Sequence, residues 1–176
     1  MSQVAEGARP ERIATGRLVL RKVAAGDVDT MIALHADPAA VRFRPEGAST
    51  PEQSRQLFTG WLDHWVEFGF GYWAIELVRT GELIGFGGLQ LAYADDGPYL
   101  NVFYRLFPHS WGHGYAPEMV AAAVDWGRKA FPDLPIAIIT PTDNLPAQRV
   151  ALKMGFVERR RAYFQGALSC FFELPG

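Results

Sequence analysis

Apolar residues recur along this chain in two rhythms. RLVLRKV, Arg17 to Val23, alternates with a period of two, as a half-buried strand does, whereas Val28, Met31, Ile32 and His35 share one face of a helix. A second helix is predicted from Ser49-Thr50-Pro51-Glu52, where a capping residue precedes a proline suited to the first helical position. Its apolar face is expected to hold Leu57, Trp61, Leu62 and Trp65. Three strand patterns follow, from Tyr72, Glu82 and Pro98, and turn signals at Thr80-Gly81 and Asp95-Asp96-Gly97 favour antiparallel connections between them. Next comes a helix from Tyr115 to Ala130, with Met119, Val120, Ala123 and Val124 on one face. A strand (IAIIT), a helix from Leu145 to Met154 and two strands (GFVERRRAYF and ALSCFFEL) complete the pattern.

No linker, repeat or long charge run interrupts these elements, so residues 15–176 read as a single mixed α/β domain behind a flexible segment, 1–14. With 176 residues, 49% of them apolar, the chain can bury a substantial core. A formal charge of -2 supplies no drive toward nucleic acid, which leaves a small molecule or a protein as the expected partner. Cys170 is the only cysteine, which excludes an internal disulfide and fits a reducing, cytoplasmic setting. No apolar run is long enough for a signal peptide or a membrane span.

The stretch HSWGHGYAPE, His109 to Glu118, carries the candidate chemistry. It joins a strand to a helix, where glycines allow close approach and the first helical amides face an anion. A dinucleotide fingerprint is excluded because Pro117 stands where its third glycine belongs, and no Gly-Lys-Ser/Thr is present for a triphosphate loop. His109 and His113 have no third ligand nearby, so no metal is expected. Gly85-Phe-Gly87-Gly88 reads as a bend or a close-packed strand, and Arg159 to Arg161 as a solvated face.

Taken in order, TGRLVLRKVAAGDVDTMIALHADP, GELIGFGGL, YRLFPHSWGHGYAPEMVAAAVDWG and NLPAQRVALKMGF resemble the GNAT superfamily of acetyl-CoA-dependent N-acetyltransferases. The likeness is strongest to the branch that acetylates ribosomal-protein N-termini, and it covers roughly residues 15 to 165. The resemblance implies a mixed, mostly antiparallel sheet of about seven strands flanked by about four helices. It places the pyrophosphate loop on His109, Trp111, Gly112, His113, Gly114, Tyr115 and Ala116, with His109 where relatives carry Gln or Arg. It assigns the pantetheine arm to the backbone of Phe103, Tyr104, Arg105 and Leu106 and to Asn144, which is equally well suited to capping a helix. Phe43, Arg44 and Asn101 are expected to meet the amine acceptor, and an exposed strand edge suits a homodimer.

The implied reaction is attack of a neutral amine on the acetyl thioester. Relatives often supply a glutamate base in Glu-Leu-Gly-Tyr, but here the stretch is Asn101-Val-Phe-Tyr104. The serine and tyrosine often placed to assist the leaving thiolate are Ala147 and Ala151. Tyr104, Glu76, Asp95, Asp96 and Tyr163 are replacement proton carriers by residue type alone, and none is assigned a role. Two functions therefore stand: an acetyltransferase working mainly by alignment, or an acyl-CoA-binding regulatory domain of the same fold.

Overall fold

The computed structural model describes residues 10–176. Eight strands form one sheet in the order β1-β2-β3-β4-β5-β6-β8-β7. Strands β1 (Arg12–Ala14), β2 (Leu18–Lys22), β3 (Tyr72–Leu77), β4 (Leu83–Ala94) and β5 (Gly97–Leu106) pair antiparallel in sequence order. β6 (Ile136–Pro141) then lies parallel to β5, and β7 (Val157–Phe164) and β8 (Ala167–Glu173) complete the sheet. β1 is the strand beyond the expected seven. It lies within the segment expected to be flexible, where three residues are too few for alternation to register; Met1 to Arg9 fall outside the described residues.

Four helices cover the sheet: α1 (Val28–Ala36), α2 (Pro51–Phe68), α3 (Tyr115–Ala130) and α4 (Leu145–Lys153). Adjacent residues of β4 show how the layers divide. Phe86 packs against Phe58 and Trp61 of α2, whereas a Cβ at Gly87 would meet the Met119 side chain of α3 at 2.9 Å, on the opposite face. The buried stripe of α2 is Ser54, Phe58, Trp61 and Trp65; of the expected face, Trp61 and Trp65 are buried and Leu62 packs partly buried against the core, and only Leu57 is displaced. Leu57 stays 40% exposed because the larger Phe58 ring, one position on, takes the place against Phe86. Full burial of each such ring stabilises the fold by about 1.5–3 kcal/mol.

The glycines of β4 permit this close packing. A Cβ at Gly85 would lie 2.2 Å from the Arg105 carbonyl oxygen, and one at Gly88 would lie 2.4 Å from the Trp73 ring. Both distances are well inside van der Waals contact, so β3, β4 and β5 approach each other closely only because these side chains are absent.

Helix starts are satisfied unequally. Thr50 and Gln53 form a reciprocal capping box on α2, and the Asn144 side chain accepts from Ala147 N–H at 3.2 Å on α4. α3 starts at Gly114 (φ 78°) with no side-chain cap, and its first intrahelical bond runs from Glu118 N–H to the Gly114 carbonyl. The amides of the preceding turn are left without an intrahelical acceptor.

Candidate functional site

The strongest break in the sheet lies between β5 and β6. They pair only at Leu100 with Ile136 and Asn101 with Ala137, after which β6 continues along β8 and leaves the rest of β5. Hydrogen bonds at the two ends of this run fix which groups face the opening. Leu100 N–H reaches the Pro135 carbonyl on the β6 side (2.8 Å), and Phe107 N–H reaches the Ile84 carbonyl on the β4 side (2.9 Å). Strand alternation therefore turns the N–H and C=O of Tyr104, with the C=O of Val102 and the N–H of Leu106, toward the space β6 has left. The Leu106 carbonyl on that side accepts from Trp111 Nε1 at 3.0 Å, which closes one end of the opening.

Of the run Phe103 to Leu106, only alternate residues offer main-chain groups to this space. Phe103 and Arg105 turn theirs to β4, opposite Gly88 and Phe86, and present side chains to the α1–α2 layer instead.

The opening leads to the uncapped start of α3. Gly112 and Gly114 both have φ of 78°, a left-handed conformation costly for other residues, and a Cβ on Gly112 would meet nothing within 4 Å. Arg17 holds this loop from outside. Its guanidinium donates to Glu118 Oε2 (2.7 Å) and to the His113 carbonyl (2.6 Å), and lies 4.8 Å from the Tyr115 ring centre. Glu118 also accepts from the Thr15 hydroxyl (2.6 Å) and the Arg17 amide (2.8 Å). Partial burial alone would push its carboxyl up, but the Thr15 and Arg17 hydrogen bonds hold it below the usual value. Its charge, in the first turn of α3, is therefore engaged by Arg17 and Thr15.

The loop side chains have protein partners. His109 Nε2 meets Glu82 at 2.8 Å and its ring stacks near Phe107, while His113 stacks on Tyr115 with 5.4 Å between ring centres. Asn144 and Ala147 sit at the start of α4, and Ala151 is fully buried.

On the α1–α2 face, Asn101, Phe103 and Arg105 line one side of β5. Asn101 donates to the Tyr72 hydroxyl at 2.9 Å, beside the orphaned, buried Gln90 Nε2 on β4. Burial pushes the Tyr72 phenol up, only partly opposed by the Asn101 hydrogen bond, so it stays protonated. Phe103 packs on Trp61 and Tyr72. Arg105 donates to His35 Nε2 of α1 at 3.1 Å. Burial, reinforced by the cations of Arg105 and Arg44, pushes His35 down to about 3, so it is neutral near pH 7.

The α1–α2 connection supplies the remaining wall. Arg44 donates to Ser49 Oγ and, at 3.2 Å, to the Gly47 carbonyl, and pairs with Glu46 at 3.5 Å. Arg42 lies between the Phe43 and Trp111 rings, 4.6 and 5.2 Å from their centres, and so ties this connection to the α3 loop. Of the residues singled out by type for proton transfer, Glu76 is engaged by Arg21 (2.6 Å), Asp95 and Asp96 lie in the β4–β5 turn, and Tyr163 is 83% exposed on β7. Burial pushes the Tyr104 phenol up to about 12, which makes it a poor base near pH 7. Among the described residues, no three His, Cys, Asp or Glu are grouped to hold a metal ion, and no helix is long and apolar enough to cross a membrane.

The family model described as "Acetyltransferase (GNAT) domain" matches residues 17–157. The chain belongs to the GNAT acetyltransferase family. A relative from Bacillus subtilis, "Uncharacterized N-acetyltransferase YoaA", is 29% identical over 143 residues, covering 81% of this chain and 80% of that protein. Among solved structures, a RimL ribosomal L7/L12 alpha-N-protein acetyltransferase in complex with coenzyme A has a TM-score of 0.75 at 17% identity, with 93% of this chain and 96% of that one covered. Spermidine N-acetyltransferase from Vibrio cholerae, in complex with CoA and spermine, has a TM-score of 0.69 at 18% identity, with 90% and 94% covered. The fold is therefore shared with GNAT proteins of both protein-acetylating and polyamine-acetylating description.

The α3 loop and the β5 run were both legible in the sequence. The side chains of Arg105, His35, Tyr72 and Arg17 were not marked for the roles they take here. Period-two counting from Asn101 would have placed Phe103 and Arg105 on its face, but nothing local reveals that α1 brings His35 to meet Arg105.

Proposed function

We propose that this GNAT protein transfers the acetyl group of acetyl-CoA to a primary amine in a ternary complex. One observation carries the reading: the open backbone edge of β5 runs directly to the uncapped, glycine-shaped start of α3. A pantetheine arm needs amide partners in an extended groove, and a pyrophosphate needs several N–H groups converging at a helix start. Val102, Tyr104 and Leu106 supply the first, and Gly112, His113, Gly114, Tyr115 and Ala116 the second, with Trp111 and Asn144 at the margins. Both relatives solved with CoA support this assignment through their common fold.

In the reaction, the amine nitrogen attacks the thioester carbon, the C–S bond breaks and CoA leaves as a thiolate. One proton passes from nitrogen to solvent or to sulfur. Alignment of the reactants supplies most of the acceleration, and a main-chain N–H of β5 polarises the carbonyl. Asn101, fixed by the Tyr72 hydroxyl, orients the amine or a water with its carbonyl oxygen; an amide removes no proton. Phe43 and Arg44 flank the acceptor on the α1–α2 side. Because Ala147 and Ala151 bring no hydroxyl, the thiolate leaves without a side-chain acid at those positions, and the rate is expected to rise with pH as more amine becomes neutral.

Incubation with acetyl-CoA and a panel of amines, read by free-thiol release and product mass, tests the proposal. Amine-dependent thiol release supports it. Tight CoA binding with no product from any amine supports instead an acyl-CoA-binding regulatory domain, the reading favoured by Asn101, Ala147 and Ala151.

A further inference from the structure

Resting on the transferase reading, we infer that the acceptor carries a carboxylate close to its amine and that Arg105 is the side chain that receives it. Arg105 is an unusual group to find where it lies. Its guanidinium has five N–H donors, yet among the described residues its partners are one nitrogen of a neutral histidine, His35 Nε2 at 3.1 Å, and the Phe103 ring 5.3 Å away. No carboxylate of the described residues lies within ion-pair distance; Glu46, the acid felt most nearby, is paired to Arg44 and faces solvent. A cation taken this far out of water without a counter-ion is costly, and the positive charge of Arg44 raises the cost. Burial, with Arg44 adding to it, pulls Arg105 down to about 10, which still leaves it charged near pH 7.

The remaining guanidinium nitrogens are not sealed. Among the described residues the buried side-chain atoms without a partner are His35 Nδ1, Ser54 Oγ and Gln90 Nε2, and no Arg105 atom is among them, so its free donors remain accessible to a ligand. The same strand face carries Phe103 and Asn101, two and four residues back, and Arg44 of the α1–α2 connection lies near enough for its charge to act on the guanidinium. His35 fixes the guanidinium from behind and cannot become a competing cation. A carboxylate placed there accepts two parallel N–H bonds, supplies the missing counter-charge and leaves the amine to reach along β5 toward Asn101. The same pair of cations repels a polyamine. The carboxylate belongs either to a free amino acid or to a peptide with an acidic residue next to its N-terminus; both share this chemistry.

The test measures binding and turnover on matched probes: aspartate against aspartic diamide, the peptides Ser-Asp-Ala-amide against Ser-Asn-Ala-amide, and spermidine. Binding is followed by calorimetry with and without CoA, and turnover by thiol release. We expect one carboxylate probe to bind at least 30-fold more tightly than its amide, with spermidine the weakest, and the aspartate and peptide pairs to identify the source. Arg105→Met, similar in length and apolar, should erase that preference and raise spermidine use, while CoA affinity stays within about threefold. Should Arg105→Met fail to fold, Arg44→Gln on the more exposed wall should lower the preference by about fivefold. Equal binding of acid and amide probes overturns the inference, as does a preference that survives Arg105→Met. Carboxylate selectivity without CoA binding or acetyl transfer upholds this inference while refuting the transferase reading; transfer to amides and acids alike does the reverse.

Discussion

The two sides of β5 solve different problems with different parts of the chain. Toward β6, Tyr104 and its alternate neighbours present main-chain groups, continuous with the amides of an uncapped helix. Toward α1 and α2, Asn101, Phe103 and Arg105 present side chains, each held by a residue from another element: Tyr72, Trp61 and His35. A surface made of backbone tolerates changes of residue type, provided that φ and packing are kept. A surface made of side chains changes its chemistry with every substitution. This accounts for a chain that keeps Gly112 and Gly114 while carrying Asn, Ala and Ala at Asn101, Ala147 and Ala151.

The contrast breaks most severely where a backbone conformation is removed. Gly114→Val places a β-branched residue at φ 78° and its Cβ near Arg17, 3.4 Å from Nη2. We expect CoA affinity to fall by about 100-fold or more, or about 2.7 kcal/mol, with a smaller loss of thermal stability; calorimetry on the folded variant reads both. Undiminished affinity would separate the α3 loop from the cofactor.

On the side-chain side, His35 makes a pH prediction. Its folded value of about 3 lies below the ordinary 6.5, so the unfolded chain takes up a proton that the folded protein refuses. Stability from this group is complete above about pH 6.5 and is lost as the pH falls toward 3, by up to about 1.4 kcal/mol per pH unit. Denaturant titrations from pH 7 to 4 should show this slope, and His35→Gln should flatten it. An identical slope in the variant would mean that other groups set the acid limb.

Asn144 separates two roles within one residue. Asn144→Ala removes the α4 cap and should cost about 1 kcal/mol, whereas Asn144→Asp keeps the accepting oxygen but loses the amide donors. If that amide meets pantetheine, the Asp variant remains nearly as stable as the parent and binds CoA several-fold less tightly. Equal CoA affinity in the two proteins would leave the residue as a cap alone. The smallest effect is expected at His113, whose ring stacks on Tyr115 while its amide is left in place. His113→Ala should weaken CoA binding by no more than about threefold, and a loss comparable to that of Gly114→Val would show that the ring, rather than the backbone, meets the cofactor.

The same distinction governs how much could be read from the sequence. Gly112 and Gly114 mark a loop because glycine is a local signal, and Thr50-Pro51 marks the start of α2 for the same reason. Leu57 was expected inside and Phe58 was not, because a helical stripe read one residue off looks nearly as regular until Phe86 selects the larger ring. Arg105 could be placed on a strand and its backbone given a task, but its side chain could not. That no carboxylate of the described residues pairs with it depends on His35, Arg44 and Glu46, which the fold brings together from separate parts of the sequence.

The most direct test is a single assay: acetyl-CoA mixed with the protein and a carboxylate-bearing amine, thiol release followed continuously and the product weighed by mass spectrometry. We expect one CoA thiol released for each N-acetyl product formed, with Gly114→Val at least 100-fold slower at subsaturating acetyl-CoA. Saturable CoA binding with no acetylated amine, or transfer that is indifferent to Gly114, would contradict it.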